Sequence, residues 1–295
     1  MKRANIVPNA VAIFNEQSAK ISNELIIAKN YNLSSIYTEH SKLANDIFAE
    51  QPELFDEFLK FTTHRMMGRL ENSMISDSNH QTNQNKNRNI HQFNESIALY
   101  DILYDEHGSK IFDFIPESTI HRLSTDKFKT DFVKDLLNKG YKLTNTDTLI
   151  SSIVKGDKEL FDLALKAGSP VNHRKRDRSP LYYNSLVVKD KNQEEIKKLN
   201  LYFWNQLVQH GANVNAFSGY EHFLILNASE HNKDKFVWLL ENGANPDISW
   251  TDNMKKNHSL QSYLENNASG LLPILDKFIL KNQLVTNPTK PAIKI

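Results

Sequence analysis

The chain of 295 residues contains no cysteine. That excludes disulfides, thiol nucleophiles and thiolate metal sites together, and it fits a reducing compartment. An excess of charge of one sign is missing as well, because 36 Lys and Arg stand against 35 Asp and Glu for a net charge of +1. Such a balance argues against a protein that coats nucleic acid or another polyanion, although it is compatible with a local basic patch. No window approaches the roughly 18 apolar residues that a membrane span needs. The opening "MKRANIVPNAVAIFNEQ" has the Lys2 and Arg3 of a signal peptide, but Asn5, Pro8 and Asn9 interrupt the apolar run and no small-residue cleavage pattern follows. These features lead to the expectation of a soluble chain.

Catalytic motifs are lacking too. There is no H-E-x-x-H, no phosphate-binding G-x-x-x-x-G-K-[ST], no G-x-G-x-x-G and no G-x-S-x-G elbow. The stretch "YDEHG", residues 104–108, gathers Asp105, Glu106 and His107. Adjacent residues on a helix point in different directions, so the group reads as a charged helix end rather than a metal or acid–base site. The 11 histidines show no ligand spacing of the usual kind. Neither a cofactor nor a metal is expected.

What the chain does have is an ordinary globular composition, 39% hydrophobic and 24% charged. Residues 9–72 carry helical periodicity in three segments. Val11, Phe14, Ile21, Leu25 and Ala28 share one face of the first, and Ile36, His40, Leu43 and Ile47 one face of the second. Pro52 suits the first turn of the third, whose stripe is Phe55, Phe58, Leu59, Met66 and Leu70. The amide-rich run "SDSNHQTNQNKNRN", residues 76–89, offers nothing apolar to bury, so a flexible polar loop is expected over 73–92. Helical pattern resumes with Ile97, Leu99, Tyr100 and Leu103. At the far end "TNPTKPAIKI" has no period and reads as part of an extended tail over 281–295.

The strongest signal is internal repetition. Three, four, seven and eight positions before Gly140 stand Leu137, Leu136, Val133 and Phe132. Before Gly168 the same offsets hold Leu165, Ala164, Phe161 and Leu160, and before Gly211 they hold Val208, Leu207, Trp204 and Phe203. Before Gly243 they hold Leu240, Leu239, Phe236 and, as the one exception, Lys235. Those offsets describe one face of an α-helix that stops at a glycine able to take a left-handed C′ conformation. Trp204 and Trp238 fall on this packing face and are expected in the core. "GSPVN" and "GANVN" each lead through six residues into a second apolar segment, so that Gly168 to Leu181 and Gly211 to Leu224 are both 13 residues. A Ser179–Pro180 pair supplies a hydroxyl cap and a first-turn proline for that segment.

"SPLYYNSL", "GSPVN", "GANVN" and "KFVWLLENGANPD" resemble the helix opening, the loop and the second helix of the ankyrin repeat. The resemblance covers about residues 115–280 and implies an all-α fold: an ankyrin-like helical solenoid over 114–280, about five units with degenerate caps, behind an N-terminal helical region of residues 1–113. The chain departs from the family in several places. Gly168 and Gly211 are 43 residues apart, with "KDKNQEEIKKLN", residues 189–200, as the insertion. His222–Phe223 replaces Thr-Pro in the third opening, and the fingers after Gly140 and Gly243 are respectively shortened and lengthened.

Stacked repeats present an extended binding surface, and in ankyrin proteins the loop tips and the first helices usually make the contacts. The tips here carry Arg174, Lys175, Arg176 and Arg178, then Phe217 and Tyr220, then Trp250 with Lys255 and Lys256. Arginine and aromatic residues are enriched at interface hot spots. The expected partner is another protein with an acidic, partly apolar surface. Neither specific nucleic-acid binding nor a membrane span is expected, and oligomeric state is left open. Trp250 stands out because a polar loop offers it little to pack against. Divergent repeats, amide richness and the lack of cysteine are similar to bacterial ankyrin-containing effectors delivered into host cells. That likeness implies a cytoplasmic protein, or one secreted into host cytosol to bind a host protein. Two alternatives stand beside it: an enzyme with its active site in residues 1–113 and repeats for substrate capture, and a purely structural scaffold or homo-oligomer.

Overall fold

The computed structural model describes residues 7–27, 32–48, 52–73, 83–173, 179–183, 192–218, 221–229, 232–251 and 257–286. Helix dominates, and the strands among these residues are two or three residues long. The fold class is all-α. The chain divides into two compact units, Met1–Thr144 with Asp162–Gly168, and Asn145–Phe161 with Ser169–Ile295.

The first unit opens with α1 (Val7–Ile27), α2 (Leu33–Phe48), α3 (Pro52–Asn72) and α4 (Asn83–His107). Pro52 begins α3, where its missing N–H costs no hydrogen bond. Leu59, Met66 and Leu70 of α3 are fully buried. In α2 the buried stripe is Leu33, Tyr37, Ser41, Ala44 and Phe48. The expected stripe of Ile36, His40, Leu43 and Ile47 lies beside it and is half-buried. The shift arises because α2 packs against α1, α3 and α4 together, which widens the apolar arc beyond one sequence-visible stripe. Similarly, Val11 is exposed, and α1 contributes Ala10 and Phe14 to the cluster with Ala44 and Phe48.

The loop expected over 73–92 is corrected for 83–92, which form the first turns of α4; residues 74–82 lie outside the described ones. Adding a residue to a helix already fixed by packing gains a backbone bond without a new nucleation cost, so polar composition alone does not end it. A 3₁₀ segment (Gly108–Phe114), α5 (Glu117–Thr125) and α6 (Thr130–Asn138) follow.

From α6 onward the glycine-terminated helices come as read. α6, α8 (Lys158–Lys166), α9 (Gln193–Gln209) and α11 (Lys233–Glu241) are followed by Gly140, Gly168, Gly211 and Gly243, with φ of 102°, 94°, 87° and 91°. A residue with a Cβ is strained there. Phe132, Val133, Leu136, Leu160, Phe161, Phe203, Trp204, Leu207, Phe236, Trp238, Leu239 and Leu240 are buried along these helices. The insertion lengthens one of them, since α9 has 17 residues against 9 for α11. Asn192 and Glu195 form its capping box, satisfying two backbone donors that a helix start would otherwise leave open.

The intervening segments are α7 (Asp147–Lys155), a 3₁₀ turn (Pro180–Tyr182), α10 (Phe223–Leu226) and α12 (Leu260–Asn267). Ser179 does not cap by its side chain as expected; it is buried and its hydroxyl makes no cap bond. Only one 3₁₀ turn follows it among the described residues, so there is no α-helical N-terminus there to cap. Two hairpins, β1 (Phe217–Ser218) with β2 (Glu221–His222) and β3 (Ser249–Thr251) with β4 (Asn257–Ser259), occupy the fingers after Gly211 and Gly243. The last helix, α13 (Leu272–Thr286), takes in residues 281–286 of the expected tail, which are therefore helical rather than extended; residues 287–295 lie outside the described ones.

Candidate functional site

In the second unit, the chain leaves each helix at its glycine and turns into a finger held by asparagines. Asn172 donates through Nδ2 to the Gly211 carbonyl at 2.7 Å and accepts at Oδ1 from the Asn213 N–H at 2.8 Å. One unit on, Asn215 repeats both bonds, to the Gly243 carbonyl at 3.1 Å and from the Asn245 N–H at 2.8 Å. Asn213 and Asn245 in turn accept from the N–H groups of Asn215 and Asp247, at 2.9 and 3.0 Å. One side-chain amide thus meets a donor and an acceptor of the following finger, which fixes the spacing between finger bases.

Above those bases the backbones pair as hairpins. Phe217 opposes His222 and Ser218 opposes Glu221. Trp250 opposes His258 and Thr251 opposes Asn257. The Leu260 N–H donates to the Ile248 carbonyl at 3.1 Å, closing the base of the second hairpin. Ser259 and Ser262 then cap α12 reciprocally.

Trp250 is half-buried. Its ring stacks on His258 at 5.3 Å with an interplanar angle of 23°, and meets Tyr263 edge-on at 5.9 Å. The expectation that it lacks packing partners is therefore corrected: pairing β3 with β4 brings His258 directly across from it, a proximity that the polar composition of the loop conceals. Phe217 is placed by its backbone in β1. Arg174, Lys175, Arg176, Arg178, Tyr220, Lys255 and Lys256 lie outside the described residues.

The helices of the second unit contain two further features. Trp204 and Trp238 lie 5.5 Å apart, and the Trp238 Nε1–H donates to Asn205 Oδ1 at 2.9 Å. Lys235, 2% exposed, donates to the Leu181 carbonyl at 2.6 Å and to the Tyr182 carbonyl at 3.2 Å, with its ammonium 5.0 Å from the Trp204 ring centre. Burial pushes its pKa down to about 7, because no low-dielectric site welcomes an ammonium as water does. The sequence signal for this residue was its position as the one charge at a core offset of the repeat.

In the first unit, Glu106 and His107 do converge, against the sequence expectation. The Tyr37 hydroxyl lies 2.9 Å from Glu106 Oε2, to which it donates, and 2.7 Å from His107 Nε2. The helix loosens there, with His107 at φ −121° and ψ −4°, so neighbouring side chains no longer diverge as on a regular α-helix. Asp105 is exposed, and no group of three or more potential metal-binding side chains occurs among the described residues. Burial raises the Tyr37 hydroxyl far above its ordinary value and lowers that of His107. The partner residues lie about 70 positions apart in the chain, and no local pattern announces such a pair.

No helix among the described residues is long and apolar enough to cross a membrane. No protein-family model and no curated protein matches the sequence. What the fold itself defines is an all-α protein with glycine-terminated helices and asparagine-bridged fingers.

Proposed function

We propose that residues 114–280 form an ankyrin-like solenoid and that the chain is a protein–protein recognition module. The carrying observation is the repeated asparagine bridge, Asn172 to the Gly211 finger and Asn215 to the Gly243 finger. A loop whose base is fixed this way has less chain left to order on binding, which lowers the cost of association. The tips are where the chain varies most from unit to unit, and their chemistry is that of interface anchors: Arg174, Lys175, Arg176 and Arg178, then Phe217 and Tyr220, then Trp250. The partner is a protein with an acidic, partly apolar surface. In the effector reading it is a host protein, met in host cytosol.

The test is affinity capture from host-like cell lysate with mass-spectrometric identification, comparing the wild type with a variant carrying charge reversal at Arg174, Lys175 and Arg176 together with Trp250→Ala. The reading expects partners captured by the wild type to be lost while the melting temperature stays within a few degrees. Undiminished capture by the folded variant removes the fingers as the binding surface.

A further inference from the structure

The first unit contains a cavity of about 260 Å³ among its first four helices. Phe14, Ile36, Phe58 and Leu99 supply apolar wall, and Phe61, 63% exposed, stands among its lining residues. Leu33 and Met66 extend the apolar wall, and the polar lining, Asn15 apart, is cationic, imidazole or hydroxylic, with no carboxylate. Arg65 and Arg69 are one helical turn apart on α3, and Ser18 and Ser22 one turn apart on α1. His40 faces the serines, its Nε2 3.2 Å from the Ser18 carbonyl and 3.4 Å from Ser22 Oγ. A carbonyl only accepts, so Nε2 carries the proton. Burial foremost, and then the charge of Arg65, lower the pKa of His40 and favour its neutral form.

The charge balance of the cavity is specific. Arg69 is matched, its Nη2 lying 3.1 Å from Glu95. Arg65 takes part in no ion pair or hydrogen bond among the described residues. Among the described residues, the cavity lining therefore holds one cation without an ion-pair partner, the exposed Arg65. Two polar atoms there are also buried without a hydrogen-bond partner among the described residues, the Arg69 Nε–H donor and Ser18 Oγ. Buried donors of this kind are costly to leave unmade.

We propose that this cavity binds a small amphipathic monoanion, a medium-chain fatty carboxylate, with its hydrocarbon chain between Phe14, Ile36, Phe58 and Leu99 and its carboxylate at Arg65 and Arg69. The carboxylate supplies the single negative charge that Arg65 lacks and acceptor oxygens for guanidinium N–H groups. A phosphate monoester brings between one and a half and two charges, about twice what the site offers. At about 30 Å³ for each water-sized group, the volume holds on the order of nine such groups, which suits a chain of about eight carbons.

The probe is octanoate, titrated calorimetrically into the 295-residue chain, with octanol and octyl phosphate in parallel. Octanoate binds the wild type in a 1:1 ratio. Octanol, which keeps the chain and lacks the charge, binds roughly tenfold or more weaker, as expected for the loss of a charge-assisted hydrogen bond. Octyl phosphate, whose charge the site matches less well, binds weaker than octanoate. Arg65→Gln, a change at an exposed side chain with no ion pair or hydrogen bond to lose among the described residues, weakens octanoate by a similar factor and leaves octanol unchanged. Ser22→Phe, which fills the cavity from α1, abolishes both, and it decides the matter if Arg65→Gln fails to fold. The proposal is overturned if octanoate does not bind the wild type, if octanol or octyl phosphate binds as tightly or tighter, or if a folded variant of either kind binds octanoate as the wild type does.

Discussion

At the eighth position before a helix-ending glycine, three helices bury Phe132, Leu160 and Phe203, and α11 buries Lys235. A neutral amine fits that site better than an ammonium, and burial sets its pKa near 7 from an ordinary 10.5. In the unfolded chain the ordinary value returns. Between about pH 7 and pH 10.5 the unfolded state therefore binds more protons than the folded one, and stability rises with pH. The cost of the buried ammonium is present in full below the folded pKa and fades as the pH climbs towards the unfolded one. Lys235→Met deletes the titration. Chemical denaturation at several pH values should show an upward slope in the wild type, at most about 1.4 kcal/mol per pH unit from this group, that the variant lacks. Parallel profiles for the two proteins would falsify the assignment. The gain from losing the amine is partly offset in the variant, because the Leu181 and Tyr182 carbonyls lose their donor.

Among the elements, the finger base is the feature whose geometry recurs, and its asparagines are separable by substitution. Asn215→Ala removes a bond to the Gly243 carbonyl and one from the Asn245 N–H, and each such bond contributes about 1 kcal/mol. Asn215→Asp keeps an acceptor for Asn245 and sets an anionic oxygen against the Gly243 carbonyl, so thermal unfolding should place it no higher than the alanine variant. An aspartate variant as stable as the wild type shows that the donor half of the bridge contributes nothing. Gly211→Ala meets no atom within 4 Å at the added Cβ, so only its left-handed backbone opposes the change, and a loss of about 1 kcal/mol is expected. The glycine stops and buried faces of these helices were legible in the sequence because each is local: offsets of three, four, seven and eight repeat within one element. The insertion that lengthens α9 was legible for the same reason. The partners of Asn172 and Asn215 lie some 28 to 41 positions away, so the recurrence of asparagine was visible and its bonds were not. The first unit was read least well. Its cavity draws on four helices, and α2 packs on three neighbours, so no single periodic stripe marks which of its side chains line that space. Polar composition also misled at α4, where packing farther along the helix carries an amide-rich start.

For the molecule as a whole, a net charge of +1 means that long-range attraction to an acidic partner cannot come from total charge. It has to come from a local cluster, and Arg174, Lys175, Arg176 and Arg178 are the densest one in the proposed surface. In the proposed interface Trp250 would act through a different force. It presents a half-buried indole stacked on His258, whose apolar contact is not screened by ions. The two contributions should therefore separate in kinetics. Raising salt from about 0.1 M to about 1 M shortens the screening length from about 10 Å to about 3 Å and should slow association with a captured partner while changing dissociation little. Charge reversal at Arg174, Lys175 and Arg176 should give an association rate that is low at every salt concentration. Trp250→Ala should leave association and its salt dependence intact and speed dissociation, by roughly tenfold or more if it is a hot spot. Surface-immobilised partner and label-free detection read both rates in one experiment. An association rate indifferent to salt in the wild type assigns recognition to apolar contact alone and removes the basic finger from the encounter.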